Sequence, residues 1–200
     1  GYIVIAASNI RTRVDVDPER GLTRFVGRER ELELLLDSFE RSKEGRGQAV
    51  SIVSDAGIGK SRLLYEFRKA VTHENVNFLE GRCLSYGRNA AYHPVVDIIK
   101  VTFGIQDHDT DHAIKEKVAS GLHFLGIEKS LSVPFFLELL SVKNSGIDQT
   151  PMSPEARRHR TLEALKELIL KDAEYLPVIM AIEDLHWMDR SSEDALREIL

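Results

Sequence analysis

Residues 54–61 form a loop with two glycines that ends in a lysine and a serine. Backbone amides, an ammonium and a hydroxyl in this arrangement can bind phosphate. The apolar run Ala49 to Val53 enters the loop, and a helical pattern starts at Lys60-Ser61. Glycines let backbone N–H groups point at phosphate oxygens, and the following helix adds its positive dipole end. Lys60 would then reach the β- and γ-phosphates, and the Ser61 hydroxyl would ligate Mg²⁺.

One position departs from the full GxxxxGK[ST] pattern. Ser54 stands where that pattern has its first glycine, and we expect it to cost backbone freedom because the chain turns sharply there. Gly59 and the Lys-Ser pair are intact. A chance match at an ordinary strand-to-helix turn is the competing interpretation, and the helical spacing of apolar residues from Leu63 to Val71 speaks against it. The residues predicted to bind the nucleotide here are Asp55, Ala56, Gly57, Ile58, Gly59, Lys60, Ser61 and Arg62.

Two carboxylates end a second apolar run far downstream. Residues Pro177 to Ile182 suit a buried parallel strand, and Glu183 and Asp184 follow directly. Carboxylates at the tip of an apolar strand are costly unless they serve a ligand, and a Mg²⁺-nucleotide would supply that use. One acid would hold the metal shell and the other would polarise water. A solvated loop is the alternative, and the upstream loop favours the nucleotide.

Three motifs in order carry a resemblance to AAA-type ATPases akin to origin-recognition proteins and to signalling STAND NTPases. The motifs are FVGRERE at 25–31, AGIGKSRL at 56–63 and EDLHWMD at 183–189. More narrowly, residues 11–200 look like the ATPase module found after the catalytic domain in bacterial adenylate/guanylate cyclase-like signalling proteins. The stretch from Arg11 to Thr23 looks like the linker of those proteins.

The resemblance also implies a role for each site residue. It implies that Val26, Gly27 and Arg28 lie near the adenine. It implies that the phosphates are bound by Gly57, Gly59, Lys60 and Ser61. Glu183 would be the metal-side acid and Asp184 the catalytic acid. Lys60 and Asp184 would be the catalytic residues, and Ser61 and Glu183 the metal ligands. Most relatives carry Asp first and Asp or Glu second, whereas this chain has Glu and then Asp. That order puts hydrolysis in question and affects binding less.

The alternation of segments predicts an α/β fold, a three-layer αβα P-loop NTPase with a parallel sheet. Strands are expected at 49–53, 77–83 and 177–182. Helices are expected at 29–42, 60–73, 95–103, 113–125, 133–142 and 153–173, and a last helix is expected to be capped by Ser191 or Ser192. The segment between the second and third strands is too long for a simple crossover, so we interpret it as a helical insertion.

The domain division follows from the same resemblance. Residues 1–24 are expected to be a linker or the tail of an upstream domain, and 25–200 a partial AAA-type ATPase domain that is incomplete at its C-terminus. In the resembled families a later strand lies between the phosphate-loop strand and the acidic strand. Without it a slot of about 10 Å would open between two unpaired strand edges. The chain alone is therefore expected to be poorly stable or aggregation-prone, and inactive.

Composition narrows the class of protein further. A net charge of −5 argues against nucleic acid as the main partner. The lone thiol, Cys83, cannot build a disulfide framework, so we expect a reducing, cytoplasmic compartment. No apolar run nears the ~18 residues of a membrane helix.

Other polar clusters carry weaker alternatives. The acidic and histidine residues at 107–112 fail the calcium-loop pattern, because its glycine position is His112 and its terminal Glu position is Val118. The arginines at 157, 158 and 160 form a solvated face or, alternatively, a phosphate contact. His186 and Trp187 are expected to pack, with sensing of the nucleotide as the alternative, and residues 92–94 are assigned no chemistry.

The sequence thus predicts an ATP-Mg²⁺-binding module of a larger signalling protein, with hydrolysis by Asp184. Its expected partners are ATP, other domains of the parent protein and a second copy in a homo-oligomer. The competing interpretations are a nucleotide-binding or protein-interaction module that holds ATP without cutting it and, with less support, an origin-type DNA loader.

Overall fold

The computed structural model describes residues 2–5, 24–55, 57–84, 91–149 and 151–200. At residues 2–5, 129 and 130 it describes the backbone alone. In chain order the elements are β1 (Tyr2–Ile5), α1 (Glu29–Lys43), β2 (Gln48–Val50), α2 (Lys60–Val71), β3 (Asn77–Arg82), α3 (His93–Thr102), α4 (Asp111–Phe124), α5 (Lys129–Leu139), α6 (Pro154–Tyr175), β4 (Val178–Glu183) and α7 (Arg190–Ile199). Short 3-10 turns lie at Ile147–Gln149 and Leu185–Trp187.

The strands form a small parallel sheet in the order β2-β1-β4-β3. Because all four strands run the same way, their carboxyl ends meet at one edge of the sheet. The glycine loop follows β2 at that edge, and the acid pair ends β4 there. This confirms an α/β fold with a parallel sheet and places the two predicted halves of the site on the same side of the molecule.

The N-terminal strand overturns the expectation of an open slot. Residues 2–5, which we had placed in the tail, pair in parallel with β2 on one side and with β4 on the other. The gap between the phosphate-loop strand and the acidic strand is therefore filled, because a short β-prone segment can satisfy the backbone groups of both neighbours. The rest of the predicted tail, residue 1 and residues 6–23, lies outside the described residues.

Helices pack on both faces of the sheet. On one face, α1 and α2 bury Leu35, Phe39 and Phe67 against Ile179 and Ala181 of β4. On the other face, residues of α3, α6 and α7 pack on the remaining side chains of β3 and β4, among them Leu79, Val178, Met180 and Ile182. A separate helical core joins α3 to α7 through α4, α5 and α6, and it corresponds to the predicted insertion.

The ends of the helices and strands agree in part with those predicted from the sequence. Ser153 caps α6 as predicted, its hydroxyl accepting from the Ala156 N–H at 3.2 Å. The predicted cap of the last helix is wrong: Asp189 caps α7 and accepts from the Ser192 N–H at 3.0 Å. The last residue of the EDLHWMD motif is therefore the cap, and both serines lie inside the first turn of the helix. Strand β2 ends at Val50 rather than at Val53, whose side chain is 87 % exposed.

Candidate functional site

The loop after β2 has the backbone that a phosphate cradle requires. Gly57 and Gly59 lie in the left-handed region, with φ of 83° and 85°, which side chains other than glycine rarely adopt. A Cβ on Gly57 would meet no atom within 4 Å, and one on Gly59 would meet only the Arg62 Cβ at 4.0 Å. No other atom therefore crowds these two glycines, which lie directly before the start of α2.

The serine that departs from the pattern causes no backbone strain. Ser54 is absent from the described residues with positive φ, so the cost that we expected of it does not arise. Its Oγ is buried and has no hydrogen-bond partner in the described part of the chain. A buried hydroxyl without a partner is unfavourable, and a nucleotide in the loop would offer it an acceptor.

The Lys60 ammonium lies folded over the loop. Its Nζ donates to the carbonyl oxygen of Ser54 at 2.7 Å and to that of Asp55 at 3.0 Å. The ammonium therefore sits at the loop mouth, held by neutral acceptors. A phosphate would replace these carbonyls with charged oxygens, which form stronger hydrogen bonds to an ammonium.

The two predicted metal ligands are in direct contact. Ser61 Oγ donates to Glu183 Oε2 at 2.9 Å, although 122 residues separate them in the chain. The first turn of α2 supplies one oxygen, and the end of β4 supplies the other. Two oxygens that converge beside an open loop suit Mg²⁺, which binds few protein carboxylates and keeps ligands from water and phosphate.

Asp184 follows in an unusual conformation. Its φ of 58° and ψ of 41° place it in the left-handed region, and its carbonyl accepts from the Trp187 N–H at 2.8 Å. Asp and Asn tolerate this region better than other L-residues. The backbone thus gives a reason for Asp rather than Glu at this position. Its side chain is exposed at the carboxyl edge of the sheet.

The FVGRE segment reaches the loop through one side chain. Arg28 Nη1 donates to the Ile58 carbonyl oxygen at 3.2 Å, and its Nε pairs with Glu31 at 3.0 Å. The Val26 side chain is 70 % exposed, next to Gly27 with φ of 87°. The structure therefore brings the segment predicted to contact the adenine beside the phosphate loop.

Four further residues were predicted to bind the nucleotide at this loop. Arg62 pairs with Glu66 at 2.7 Å along α2. Ala56 lies outside the described residues. Asp55 and Ile58 are exposed at the loop surface.

Sequence reasoning missed a cluster at the end of β3. Arg82 is the register partner of Glu183. Its N–H donates to Asp97 Oδ2 at 3.3 Å, and His93 Nδ1 lies 3.1 Å from its carbonyl oxygen. Burial raises the pKa of Asp97, and the hydrogen bond from Arg82 and the nearby His93 oppose that shift. The i, i+4 spacing of His93 and Asp97 at the start of a helix was the available signal.

The thiol beside this cluster is chemically inert. Cys83 is 3 % exposed, and burial raises its pKa to about 12, with further contributions from Asp189, Asp184 and Asp97. A thiol with so high a pKa is not a nucleophile at neutral pH.

The other clusters lie outside the site. Asp109 accepts from the Gln106 N–H and from Lys117 Nζ, so it closes a turn. No cluster of three or more potential metal-ligating residues occurs within the described ranges. Each arginine of the basic cluster is paired with a carboxylate: Arg157 with Glu138 and Asp148, Arg158 with Asp194, and Arg160 with Glu163.

The fold and the site define a class of protein. A glycine loop between a strand and a helix, Lys-Ser at the helix start and an acid from another strand on the serine hydroxyl are the features of a P-loop NTPase. A family model described as AAA ATPase domain matches residues 24–200. The chain belongs to this family, which uses ATP and typically Mg²⁺.

Two further comparisons give context. The chain is 31 % identical over 175 residues to "Uncharacterized protein R02095" of Rhizobium meliloti (strain 1021). The match covers 87 % of this chain and 17 % of that protein, so the chain spans a small part of its relative. No solved structure matches the chain. Among the helices described, none has the length and apolarity to cross a membrane.

Proposed function

We propose that the chain is the ATP-Mg²⁺-binding, regulatory ATPase module of a larger cytoplasmic signalling protein of the cyclase-like kind. Its nucleotide state would gate a neighbouring domain. The observation that carries the proposal is the hydrogen bond between Ser61 and Glu183, because it joins the two predicted metal ligands at the mouth of the glycine loop.

Each site residue has a task in this proposal. The amides of Gly57 to Gly59 and the Lys60 ammonium bind the phosphate oxygens, and Ser61 and Glu183 hold the metal. Mg²⁺, when bound, supplies charge neutralisation on the β- and γ-phosphates. Asp184 accepts a hydrogen bond from a water and orients it for in-line attack on the γ-phosphorus, while the bond to the bridging oxygen of ADP breaks.

A non-hydrolysing module is the second candidate. Asp184 is one methylene shorter than a glutamate, and its backbone lies in the left-handed region, so its carboxylate extends less far from the sheet edge than a glutamate would. Such a module would hold ATP and signal by occupancy alone. The two candidates share the binding site and differ only in turnover.

Equilibrium dialysis with labelled ATP and Mg²⁺ tests the binding step on the whole gene product. Lys60→Ala is expected to weaken uptake about 100-fold or more, because it removes the phosphate-binding ammonium. Lys69→Ala is the matched control, since Lys69 lies in the last turn of the same helix. Absence of uptake by the unmodified protein, or equal uptake by the Lys60 variant, would overturn the proposal.

Phosphate release then separates the two candidates. If the module hydrolyses ATP, Asp184→Asn is expected to lower the rate by about 100-fold or more while ATP is still retained, which is the usual scale for loss of general base catalysis. A rate that is at background in the unmodified protein would favour the non-hydrolysing module.

A further inference from the structure

The end of β3 lies directly beside the metal-side acid. Arg82 and Glu183 are register partners on adjacent parallel strands, which run about 4.8 Å apart. Glu183 in turn contacts Ser61. A long cationic side chain therefore starts one strand away from the two predicted metal ligands.

The alternation of side chains along β3 shows on which face of the sheet Arg82 lies. Side chains on one strand alternate between faces, so Phe78, Glu80 and Arg82 share a face. Phe78 contacts Phe67 of α2, with ring centroids 6.3 Å apart, and Glu80 pairs with Arg68 of α2 at 3.2 Å. Arg82 thus projects on the face that carries α2, whose first turn holds Lys60 and Ser61.

The backbone of Arg82 is clamped on the outer edge of the sheet. Among the described strands β3 lies at the edge of the sheet, and Asp97 Oδ2 accepts from the N–H of Arg82 while His93 Nδ1 lies 3.1 Å from its carbonyl oxygen. Gly81 lets α3 approach, since a Cβ there would lie 2.4 Å from the Pro94 carbonyl oxygen. The clamp fixes the Cα position of Arg82 and leaves its side chain to respond to a ligand.

Within the described ranges, no carboxylate holds the Arg82 guanidinium. Of the described residues, none forms an ion pair with Arg82 within 4 Å, and Arg82 is the smallest of the charges that lower the pKa of Asp97. Glu183 and Asp184 are negative, as is a nucleotide triphosphate, while Lys60 supplies one positive charge. A second cation at this edge would offset part of that excess.

We propose that Arg82 contacts the terminal phosphate of the bound nucleotide and so makes the module distinguish a triphosphate from a diphosphate. The inference rests on the proposed function and adds to it a residue that reads the nucleotide state. Arginine suits the task because its planar fork binds phosphate oxygens in pairs. His93, Asp97 and Gly81 act as positioning residues through the Arg82 backbone.

The affinities of the whole gene product for ATP and for ADP, each with Mg²⁺, test the proposal by calorimetry. Arg82→Ala and Arg82→Gln are both expected to weaken ATP binding about 10- to 100-fold, the loss of a charge-assisted hydrogen bond, and to leave ADP within about 2-fold. Arg82→Lys keeps the positive charge but lacks the planar guanidinium, so its affinity for ATP should lie between those of the unmodified protein and the alanine variant. Arg46→Ala is the matched control, because Arg46 is exposed and precedes β2 at the opposite edge of the sheet.

The outcomes separate this inference from the proposed function. Equal weakening of ATP and ADP by either Arg82 variant would show a structural role and overturn the inference, as would no change in either. Circular dichroism reports whether a variant is folded, and the glutamine variant serves if the alanine variant is not. If the unmodified protein binds neither nucleotide, the proposed function fails and the inference fails with it.

Discussion

Gly81→Ala should destabilise the fold because of one backbone contact. The added Cβ would lie 2.4 Å from the Pro94 carbonyl oxygen and 3.0 Å from the Pro94 carbonyl carbon. An ordinary carbon–oxygen contact is about 3.3 Å, so the start of α3 must retreat by roughly 1 Å. Such overpacking costs about 1–3 kcal/mol, and the lost chain entropy of glycine offsets about 0.4–1 kcal/mol. The net loss in free energy of unfolding is therefore about 1–2 kcal/mol.

Urea unfolding followed by Trp187 fluorescence measures this loss. Trp187 packs against the sheet face that includes Leu79 of β3, so its emission reports on this region. With an m-value of about 2 kcal/mol/M, the midpoint should fall by about 0.5–1 M. Because the obstructing atom belongs to the backbone, no rotamer change relieves the contact. A midpoint within 0.2 M of the unmodified chain, at an unchanged m-value, would refute the reasoning.

Three further outcomes follow from other parts of the structure. Val4→Pro removes a backbone donor from a strand that is paired on both sides, so unfolding free energy should fall by about 3 kcal/mol; no change in urea midpoint would contradict the placement of β1. Burial raises the pKa of Asp172 above its ordinary value of 3.8. Ionisation of this carboxyl therefore destabilises the fold as the pH rises from the ordinary pKa through the raised pKa. Asp172→Asn should therefore raise the urea midpoint at pH 7, with a gain that shrinks toward pH 4, and a pH-independent difference would exclude this cause. The Cys83 thiol should react with a disulfide reagent at pH 8 at least ~100-fold more slowly in the folded chain than in urea, and equal rates would contradict its burial.

Local pattern was sufficient for most of the framework. The apolar run at 178–182 is buried throughout, and the cap at Ser153 and the helix that starts at Lys60 lie where the sequence placed them. These features depend on neighbours within a few residues, so composition and spacing specify them. Because both Ser61 and Glu183 end up at the carboxyl edge of parallel strands, the motif order also predicted their approach.

Long-range pairing was not available from the sequence. Residues 2–5 are a short apolar segment that could pair with several strands, and only the free backbone groups of β2 and β4 select its place. The cap of α7 is a local feature by contrast, and Asp189, two residues before Ser191, was an available signal that the prediction missed.

The amino-acid sequence by itself determined the class of chemistry, because a cradle of glycines followed by Lys60-Ser61 has few other uses. The tertiary structure alone decided which cation stands beside it. Arg82 belongs to neither motif, and its Cα lies beside Glu183 only because β3 pairs with β4 in a register that α3 holds from outside. Register between strands is set by the packing of the whole sheet, and no local pattern contains it.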